Sequence, residues 1–429
     1  MADGRGRSTR QDPGILETNR TGRAHAEEGL IADLAADEEL RRREFPICAR
    51  KIYCAHASDA PLPRRVADAM HESIDRASTD ARTYDLEPAH ITETRAGVAR
   101  LTGAEVDEIS FTGPTSSGLN AIANGLDWNA GDEVVCYLDD YPANVYPWLA
   151  LARHGVKPVL LEAERIGEIT PEIVERGLTK RTKLVALASA NFCSGYRIDL
   201  DAIGALCAER GVLFSVDAIQ TLGAFPIALD RIDFFSAGAQ KWMLGPSGAG
   251  ILYVKKSRRD LLRPVTIGGW NVQSPNFIAQ REIEYAAGGQ KFEPGAYYHA
   301  AIAGLGAAVG LLLEAGPAQI AERILSLTQA LKEGIAAAGF EFLSPEEINR
   351  RSGILAFRHP KIPSEQFLEA LSKNDAVVSL RFDREGRGWL RVSPHFYNTT
   401  DEMGKIAEVL IQGAARAPLT SSAARNGCV

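Results

Sequence analysis

The chain has 429 residues, of which 45% are hydrophobic and 24% charged, the composition of a globular protein with room for two or three domains. Its net charge of −7 offers no positive surface to nucleic acid, so we expect no nucleic-acid partner. The uncharged stretch between His299 and Glu314 is too short to span a bilayer and is typical of a buried helix, so we expect no membrane partner.

The chain ends and the cysteines indicate the compartment. Residues 1–25 lack the apolar core of a secretory signal, so we expect a disordered leader there, and a flexible tail over 416–429. The cysteines are scattered, with no CxxC and no histidine at ligand spacing, which favours a reduced cytoplasm and no metal site. They are Cys48, Cys54, Cys136, Cys193, Cys207 and Cys428.

The first two thirds of the chain predict a large domain. A helix from about Ala26 to Arg43 opens the segment 26–60, which we expect to pack on the C-terminal part of the chain. Over 61–315, apolar strand-like runs alternate with helical patterns, and this predicts an α/β layer with a largely parallel sheet. The clearest runs are 133–137, 158–161, 184–187 and 212–216.

Residues 316–415 follow a different pattern. Apolar residues at helical spacing predict a long amphipathic helix up to about Ala338. Strand-like runs follow at 354–358, 377–382 and 389–393, and a closing helix at 401–411. This order predicts a smaller α+β domain.

Two runs of the large domain lead to a lysine and an acid. Asp217 follows the run 212–216 directly, and Lys241 comes shortly after the run 232–235. Pyridoxal phosphate (PLP) needs this pair, because a lysine holds its aldehyde as a Schiff base and a carboxylate keeps its pyridine nitrogen protonated. The alternative is a turn lysine and a strand-end aspartate that never meet.

Four further segments suit the same cofactor. A Gly/Thr/Ser loop with Thr115 and Ser116 opens a helix, and the free N–H groups of a helix start suit a phosphate. Tyr141 could lie flat on the pyridine ring, and Asn191 could hydrogen-bond the ring hydroxyl. Arg391 alternates with apolar residues on a strand, and its guanidinium suits a substrate carboxylate. Each segment alone is equally typical of a helix cap, a surface loop or a solvated strand edge.

Taken together, these segments resemble the class V aminotransferase superfamily of PLP enzymes, over about Phe45 to Leu410. The resemblance implies PLP-dependent transferase fold type I, an α/β protein whose large domain has a mainly parallel seven-stranded sheet, with a smaller α+β C-terminal domain. It also implies an amino-acid substrate and a homodimer with shared active sites. The matching motifs are Thr115-Ser116, Asp217-x-x-Gln220, Gln240-Lys241, Phe292-Glu293-Pro294-Gly295, and Arg391 before Asn398-Thr399.

The resemblance also implies a role for each matching position. Lys241 is similar to the Schiff-base lysine and proton carrier of the family, and Asp217 to the partner of the pyridine nitrogen. Gln220 is expected at the ring hydroxyl and Tyr141 on the face of the ring. The other matches are Thr115, Ser116 and Gln240 at the phosphate, Arg391 at the substrate carboxylate, and His56-Ala57 in the segment that borders the substrate pocket.

Two positions depart from the family pattern. Most desulfurase-like members have His before the lysine, whereas this chain has Gln240, as in the aminotransferase branch. The family's Gly-Thr pair, whose Thr reaches the phosphate of the partner subunit, is Gly295-Ala296 here. Tyr297 or a backbone N–H is a candidate to replace that contact.

The reaction is less defined than the cofactor. Cysteine desulfurases use a mobile Cys ahead of the substrate arginine, but no Cys lies between Phe340 and Arg391, so persulfide chemistry is not expected. We favour β-elimination from a cysteine-type substrate or S-conjugate (a C–S lyase), with Lys241 removing the α-proton.

Other reactions stay open. Aminotransfer is the first alternative, favoured by Gln240. Epimerisation at Cα is the second, with Tyr141 or His56 as the second acid/base. A decarboxylating enzyme or a non-catalytic PLP protein is a more distant alternative, and the intact Lys241, Asp217 and Arg391 argue against the non-catalytic one.

Overall fold

The computed structural model describes residues 29–80 and 88–415. The predicted leader and tail lie outside the described residues. Within them the chain forms a seven-stranded sheet, a four-stranded sheet and a separate two-stranded pairing.

The strands, in chain order, are β1 (Ile52–Tyr53), β2 (Ile109–Thr112), β3 (Glu133–Tyr137), β4 (Lys157–Leu161), β5 (Thr182–Ala188), β6 (Leu213–Asp217), β7 (Phe234–Gly238), β8 (Gly250–Val254), β9 (Glu341–Phe342), β10 (Leu355–Arg358), β11 (Ala376–Val377), β12 (Ser379–Phe382) and β13 (Gly388–Val392). The α-helices are α1 (Leu30–Ala36), α2 (Glu38–Glu44), α3 (Arg64–Thr79), α4 (Ala89–Thr102), α5 (Thr115–Gly125), α6 (Tyr146–Leu149), α7 (Pro171–Gly177), α8 (Leu200–Glu209), α9 (His299–Ala315), α10 (Pro317–Ile335), α11 (Ser364–Lys373) and α12 (Thr400–Ala415).

The large sheet has the strand order β2-β8-β7-β6-β5-β3-β4. The strands from β7 to β4 run parallel, whereas β8 is antiparallel to both of its neighbours. Alternate residues of a strand enter the core on opposite faces: Val134 packs in one cluster with Leu119 of α5, and Val135 in another with Ile203 of α8. Burial on both faces explains why these strands are continuously apolar. The predicted seven-stranded, mainly parallel sheet is confirmed.

The small sheet is antiparallel, in the order β12-β13-β10-β9. Its apolar face packs on α10, α11 and α12 in a core of its own. In the pairing of β12 with β13, Ser379 lies opposite Arg391, and Arg381 lies opposite Trp389. This register decides which side chains of the two strands share a face.

The N-terminal segment lies against the small sheet and its helices. Strand β1 pairs in parallel with β11, and Ala55 forms a bridge with Ser393 just after β13. Arg41 of α2 is 5% exposed and its Nη1 lies 2.9 Å from Glu402 Oε1 of α12. The chain therefore returns at its end to the place where its described part begins.

Two elements differ from the predicted ones. The single helix expected up to Arg43 is two helices, because Asp37 caps α2 by accepting the N–H groups of Glu39 and Leu40. The strand expected over 377–382 is divided into β11, which pairs with β1, and β12, which pairs with β13.

Across the described ranges, no single helix combines the length and the apolar composition needed to cross a membrane. Residues 299–315 and 317–338 pass that test only as a pair, bent by 79°. Much of α9 is buried in the core, as expected for the uncharged stretch.

Candidate active site

A cavity of about 250 Å³ lies beyond the carboxyl ends of β6 and β7. Asp217 is the last residue of β6, and Lys241 follows the end of β7. Parallel strands bind ligands at this edge. The cavity is lined by Ala57, Ser58, Pro114, Thr115, Ser116, Tyr141, Ala143, Phe192, Asp217, Ile219, Gln220, Gln240, Lys241, Arg381 and Arg391. All of the predicted site residues except Asn191 and His56 are among them.

Asp217 and Lys241 are both buried in this cavity. Asp217 Oδ1 accepts the N–H of Ile219 at 3.1 Å, and burial raises the pKa of the carboxyl to about 6. Burial lowers the pKa of Lys241 to about 8; the carboxylate of Asp217 opposes this shift, and the positive charges of Arg391 and Arg381 add to it. The site therefore holds a lysine that loses its proton more easily than usual. Beside it is an aspartate whose ionised form a nearby cation would stabilise.

The start of α5 forms one end of the cavity. Thr115 Oγ1 accepts the N–H of Gly238 at 2.8 Å, which ties the first turn of α5 to the end of β7. Ser116 and Gln240 line the same cavity. A Cβ atom at Gly238 would come within 2.3 Å of Gln240 Oε1, so a larger residue there would displace the end of the Gln240 side chain.

These groups fit a PLP phosphate. Gln240 Oε1 is buried and has no hydrogen-bond partner in the described part of the chain, and a buried unpaired amide end is costly. When its amide turns by 180°, Gln240 presents an NH₂ group to an anion, beside Thr115, Ser116 and the N–H groups of an 11-residue helix. Asp217 fits the protonated pyridine nitrogen for the electrostatic reason given above.

Gln220 lines the cavity but has other partners. Its Nε2 donates to the carbonyl of Ala57 at 3.1 Å, and its Oε1 accepts from Trp242 Nε1 at 2.9 Å. The amide therefore holds the N-terminal segment against the residues that follow Lys241. Its contact with a ring hydroxyl stays a prediction.

Tyr141 stands at the mouth of the cavity. Its ring centroid lies 5.4 Å from Lys241 Nζ and 5.5 Å from the ring of Phe192, and the residue is 47% exposed. This position is compatible with the predicted contact to a ring face.

Asn191 does not reach the cavity. Its Oδ1 accepts the N–H groups of Cys193 and Ser194, both at 3.0 Å, and its Nδ2 donates to the carbonyl of Asp139 at 2.9 Å. An asparagine that closes its own turn in this way has few atoms left for a ligand. The structure places Phe192 rather than Asn191 among the residues that line the cavity, and a contact of Asn191 with the ring stays a prediction.

His56 also lies away from the cavity. It is fully buried, with Nδ1 at 2.9 Å from the carbonyl of Ser393 and Nε2 at 2.8 Å from the hydroxyl of Tyr397. Burial and the neighbouring His395 hold the pKa of His56 well below its ordinary value. His56 and Ala57 lie in a turn closed by the N–H of Ser58 donating to the carbonyl of Ala55, and in this turn Ala57 lines the cavity whereas His56 enters the core. The structure places Ala57 but not His56 among the residues that line the cavity, and a role of His56 beside the substrate stays a prediction.

Arg391 is 1% exposed and is held by neutral groups. Its Nε donates to Ser379 Oγ at 3.0 Å, its Nη2 to Ser58 Oγ at 2.6 Å, and its Nη1 to the carbonyl of Phe192. Burial lowers the pKa of Arg391 to about 9, and the charge of Arg381 adds to this shift. Among the described residues, no carboxylate holds the guanidinium in the cavity, so it can bind the carboxylate of a ligand.

Two lining residues were missed from sequence. Arg381 donates from Nη2 to Ser58 Oγ at 2.9 Å, so it meets Arg391 at the same hydroxyl. The sequence pattern used for Arg391, an arginine between two apolar residues of a strand, is also present at Arg381, between Leu380 and Phe382. Ser58 carried no such signal.

The segment around Gly295-Ala296, where the family's Thr reaches the partner subunit, takes part in a buried ion pair with α4. Glu293 Oε1 lies 2.7 Å from Arg95 Nη1 and also accepts the N–H of Phe111. The hydroxyl of Tyr297 donates to Glu293 Oε2 at 2.6 Å. Tyr297 is therefore engaged within its own chain, which favours a backbone N–H as the replacement for the missing Thr at Ala296.

Comparison with known proteins gives consistent matches. A family model described as aminotransferase class-V matches residues 52–405. A probable cysteine desulfurase of Methanothermobacter thermautotrophicus is 29% identical over 391 residues, 86% of this chain and 96% of the relative. The apo structure of a cysteine desulfurase from Thermococcus onnurineus NA1 matches with a TM-score of 0.80 and 23% identity, over 87% of this chain and 97% of that chain. The complex of the cystine C–S lyase C-DES with cysteine persulfide matches with a TM-score of 0.78 and 22% identity, over 86% and 99%.

The family match spans both sheets and every residue that lines the cavity. The solved structures share the fold, and the lysine, acid and phosphate-binding groups fit the cofactor. The chain belongs to the aminotransferase class-V family and is a PLP-dependent enzyme.

Proposed function

We propose that the protein is a C–S lyase that carries out β-elimination on a cysteine-type amino acid or S-conjugate. The observation that carries this proposal is the composition of the cavity. Lys241, Asp217 and Arg391 meet in it, and no cysteine is among its lining residues.

The residues have separate tasks in this reaction. Arg391 binds the α-carboxylate and so orients Cα, and Lys241 Nζ takes the α-proton. PLP, when bound, supplies the electron sink for the carbanion at Cα. The Cβ–S bond then breaks, and the sulfur leaves as a thiol. The net reaction converts an S-substituted cysteine and water into pyruvate, ammonia and the thiol.

The position of Cys193 supports release of the sulfur to solvent rather than transfer to the protein. Cys193 follows Phe192, but it is only 3% exposed, and burial raises the pKa of its thiol to about 11. A thiol that keeps its proton is a poor acceptor for sulfur. The hairpin between β12 and β13, which precedes Arg391, has no cysteine.

The known proteins are consistent with cysteine chemistry. One structural match is a cystine C–S lyase in complex with cysteine persulfide, and one relative is a probable cysteine desulfurase. The epimerase alternative loses one of its two candidate bases, because His56 is buried behind the cavity.

We further propose a homodimer in the cytoplasm. The segment 265–298 exposes large apolar side chains that a monomer would leave in water. They are Val265, Ile267, Phe277, Ile278, Ile283 and Tyr298. Five cysteines of the described residues are free thiols, which favours a reducing compartment.

A substrate panel tests the reaction. Purified PLP-loaded protein is mixed with L-cystine and cysteine S-conjugates, and pyruvate, free thiol, other keto acids and D-amino acids are measured. We expect one pyruvate for each thiol released from an S-conjugate, and one pyruvate for each cysteine persulfide released from cystine, with no added keto acid. Turnover that requires a keto-acid acceptor would replace the lyase by an aminotransferase.

Two lysine variants serve as controls. Lys241→Ala should lose activity together with the visible Schiff-base band. Lys256→Ala, at an exposed ion pair with Glu105, should keep both.

A further inference from the structure

Two guanidinium groups converge on one hydroxyl in the cavity. Arg391 Nη2 lies 2.6 Å and Arg381 Nη2 2.9 Å from Ser58 Oγ. The sheet register produces this pair, because Ser379 stands opposite Arg391 and Arg381 is the next residue on the same face of β12. The pair is therefore fixed by backbone pairing and is not a chance meeting of long side chains.

Neither guanidinium has an anionic partner within residues 29–80 and 88–415. Arg381 Nη1 donates to the carbonyl of Leu380, and the remaining partners of Arg391 are the neutral groups already described. Asp59, the residue after Ser58, is exposed and interacts electrostatically with Lys241.

The other buried arginines of the described chain are paired. Arg41 lies 2.9 Å from Glu402, and Arg95 lies 2.7 Å from Glu293. Buried charges are normally compensated in this way, because an uncompensated one is costly. Asp217 lines the same cavity, but no carboxylate of the described residues contacts Arg391 or Arg381, which indicates that a ligand supplies their negative charge.

One α-carboxylate does not account for both groups. It carries one negative charge, and a single guanidinium fork satisfies it. Arg391 lies deep in the cavity, whereas Arg381 is half-buried and closer to the end of β12. We propose that Arg381 binds a second anionic group on the side chain of the substrate, so that the enzyme selects amino acids or S-conjugates whose side chain ends in a carboxylate or a similar oxyanion.

This inference rests on the amino-acid substrate of the proposed function, but its test needs no bond cleavage. The PLP-loaded enzyme is titrated with L-aspartate and L-asparagine, and with L-glutamate and L-glutamine, and the visible spectrum reports binding. Each acid and its amide are nearly isosteric. We expect at least one acid to bind about 10- to 100-fold more tightly than its amide, the range that a hydrogen bond to a charged group supplies.

Variants of two arginines assign the preference. Arg381→Met should bring the acid-to-amide ratio close to one while the amide keeps its affinity. Arg381→Lys, which keeps the charge and loses the fork, should retain part of the preference. The control Arg387→Met removes the same charge from the same hairpin, where Arg387 pairs with Asp383 and Glu385, and should leave the ratio unchanged.

Two outcomes would overturn the inference. One is a wild-type enzyme that does not distinguish any acid from its amide. The other is an Arg381→Met enzyme that loses affinity for acid and amide alike, which would make Arg381 a second ligand of the α-carboxylate. Pyruvate release from S-(2-carboxyethyl)-L-cysteine and from its carbamoyl analogue separates the two proposals. If neither is cleaved while the binding preference persists, the lyase proposal fails and the specificity inference stands.

Discussion

The protonation state of Lys241 sets the pH at which the enzyme can take up its cofactor. The neutral amine attacks an aldehyde, and the pKa of Lys241 is lowered to about 8 by burial, with help from the two arginines. PLP uptake by the cofactor-free protein should therefore become faster as the pH rises through about 8 and level off above it. Stopped-flow measurement of the visible band between pH 6 and 10.5 checks this.

Two variants should move that midpoint in opposite directions. Arg391→Met removes a positive neighbour and should raise the pKa of Lys241. Asp217→Asn removes a negative neighbour and should lower it. A wild-type midpoint near 10.4, the ordinary lysine pKa, would contradict the effect of burial.

Arg391 is expected to govern substrate affinity rather than cofactor content. Truncation to Ala leaves a substrate carboxylate without its charge-assisted partner, a loss of about 2–5 kcal/mol. KM should rise strongly while the visible band of the bound cofactor keeps its intensity. Arg391→Lys should recover only part of the affinity, because an ammonium cannot replace the planar fork. A variant that instead loses its cofactor would show that Arg391 acts on the fold of the site.

For single residues, the sequence predicted which residues form the site better than it predicted where their side chains point. Lys241, Asp217 and Arg391 follow or lie on strands, and strand ends are readable from apolar runs. The directions of the His56 and Asn191 side chains could not be predicted, because each depends on a local turn. Arg381 was not predicted as a site residue, because its position beside Arg391 depends on the register of β12 against β13.

Among the elements, the segment before α9 contacts two elements of the large domain through one carboxylate. Glu293 pairs with Arg95 of α4 and accepts the N–H of Phe111 in β2, and the two side chains of the ion pair are 2% and 6% exposed. Glu293→Gln removes the negative charge from this buried ion pair. We expect a loss of up to about 5 kcal/mol in the free energy of unfolding, measured by denaturant titration.

An exposed ion pair provides the control for that variant. Arg263 and Asp127 lie 2.9 Å apart, and each side chain is 70% exposed. Asp127→Asn should have little measurable effect, because solvent screens such pairs. If both variants cost the same, the burial of the Glu293 pair is not what stabilises the segment.

Helices and strands were predicted correctly where a single sequence pattern identifies the element. Buried parallel strands are apolar without interruption, and α10 shows its periodicity clearly. The short pairing of β1 with β11 was not predicted, because each strand has only two residues and gains its order from the contact itself. Likewise, the break between α1 and α2 depends on a single capping side chain.

For the whole molecule, we expect a dimer of twice 46.4 kDa in light scattering. The exposed apolar side chains of the segment 265–298 would be covered in that assembly. Ile278→Asp should shift the mass towards the monomer. Ile348→Asp is the matched control, since Ile278 is 62% and Ile348 63% exposed, but Ile348 lies outside this segment. A wild-type protein that is monomeric and fully active would contradict the assembly.

The meeting of the two ends of the chain has a consequence for biosynthesis. Lys51 and Asp375, which flank the pairing of β1 with β11, are 324 positions apart. At 5–20 residues per second, a ribosome needs roughly 15–65 seconds to make the intervening chain. Throughout that time β1 cannot pair with β11. Arg381 and Arg391, which hydrogen-bond to Ser58 in the folded protein, have also not yet been synthesised. During this time the nascent chain can fold much of its large sheet but cannot yet bind an amino acid.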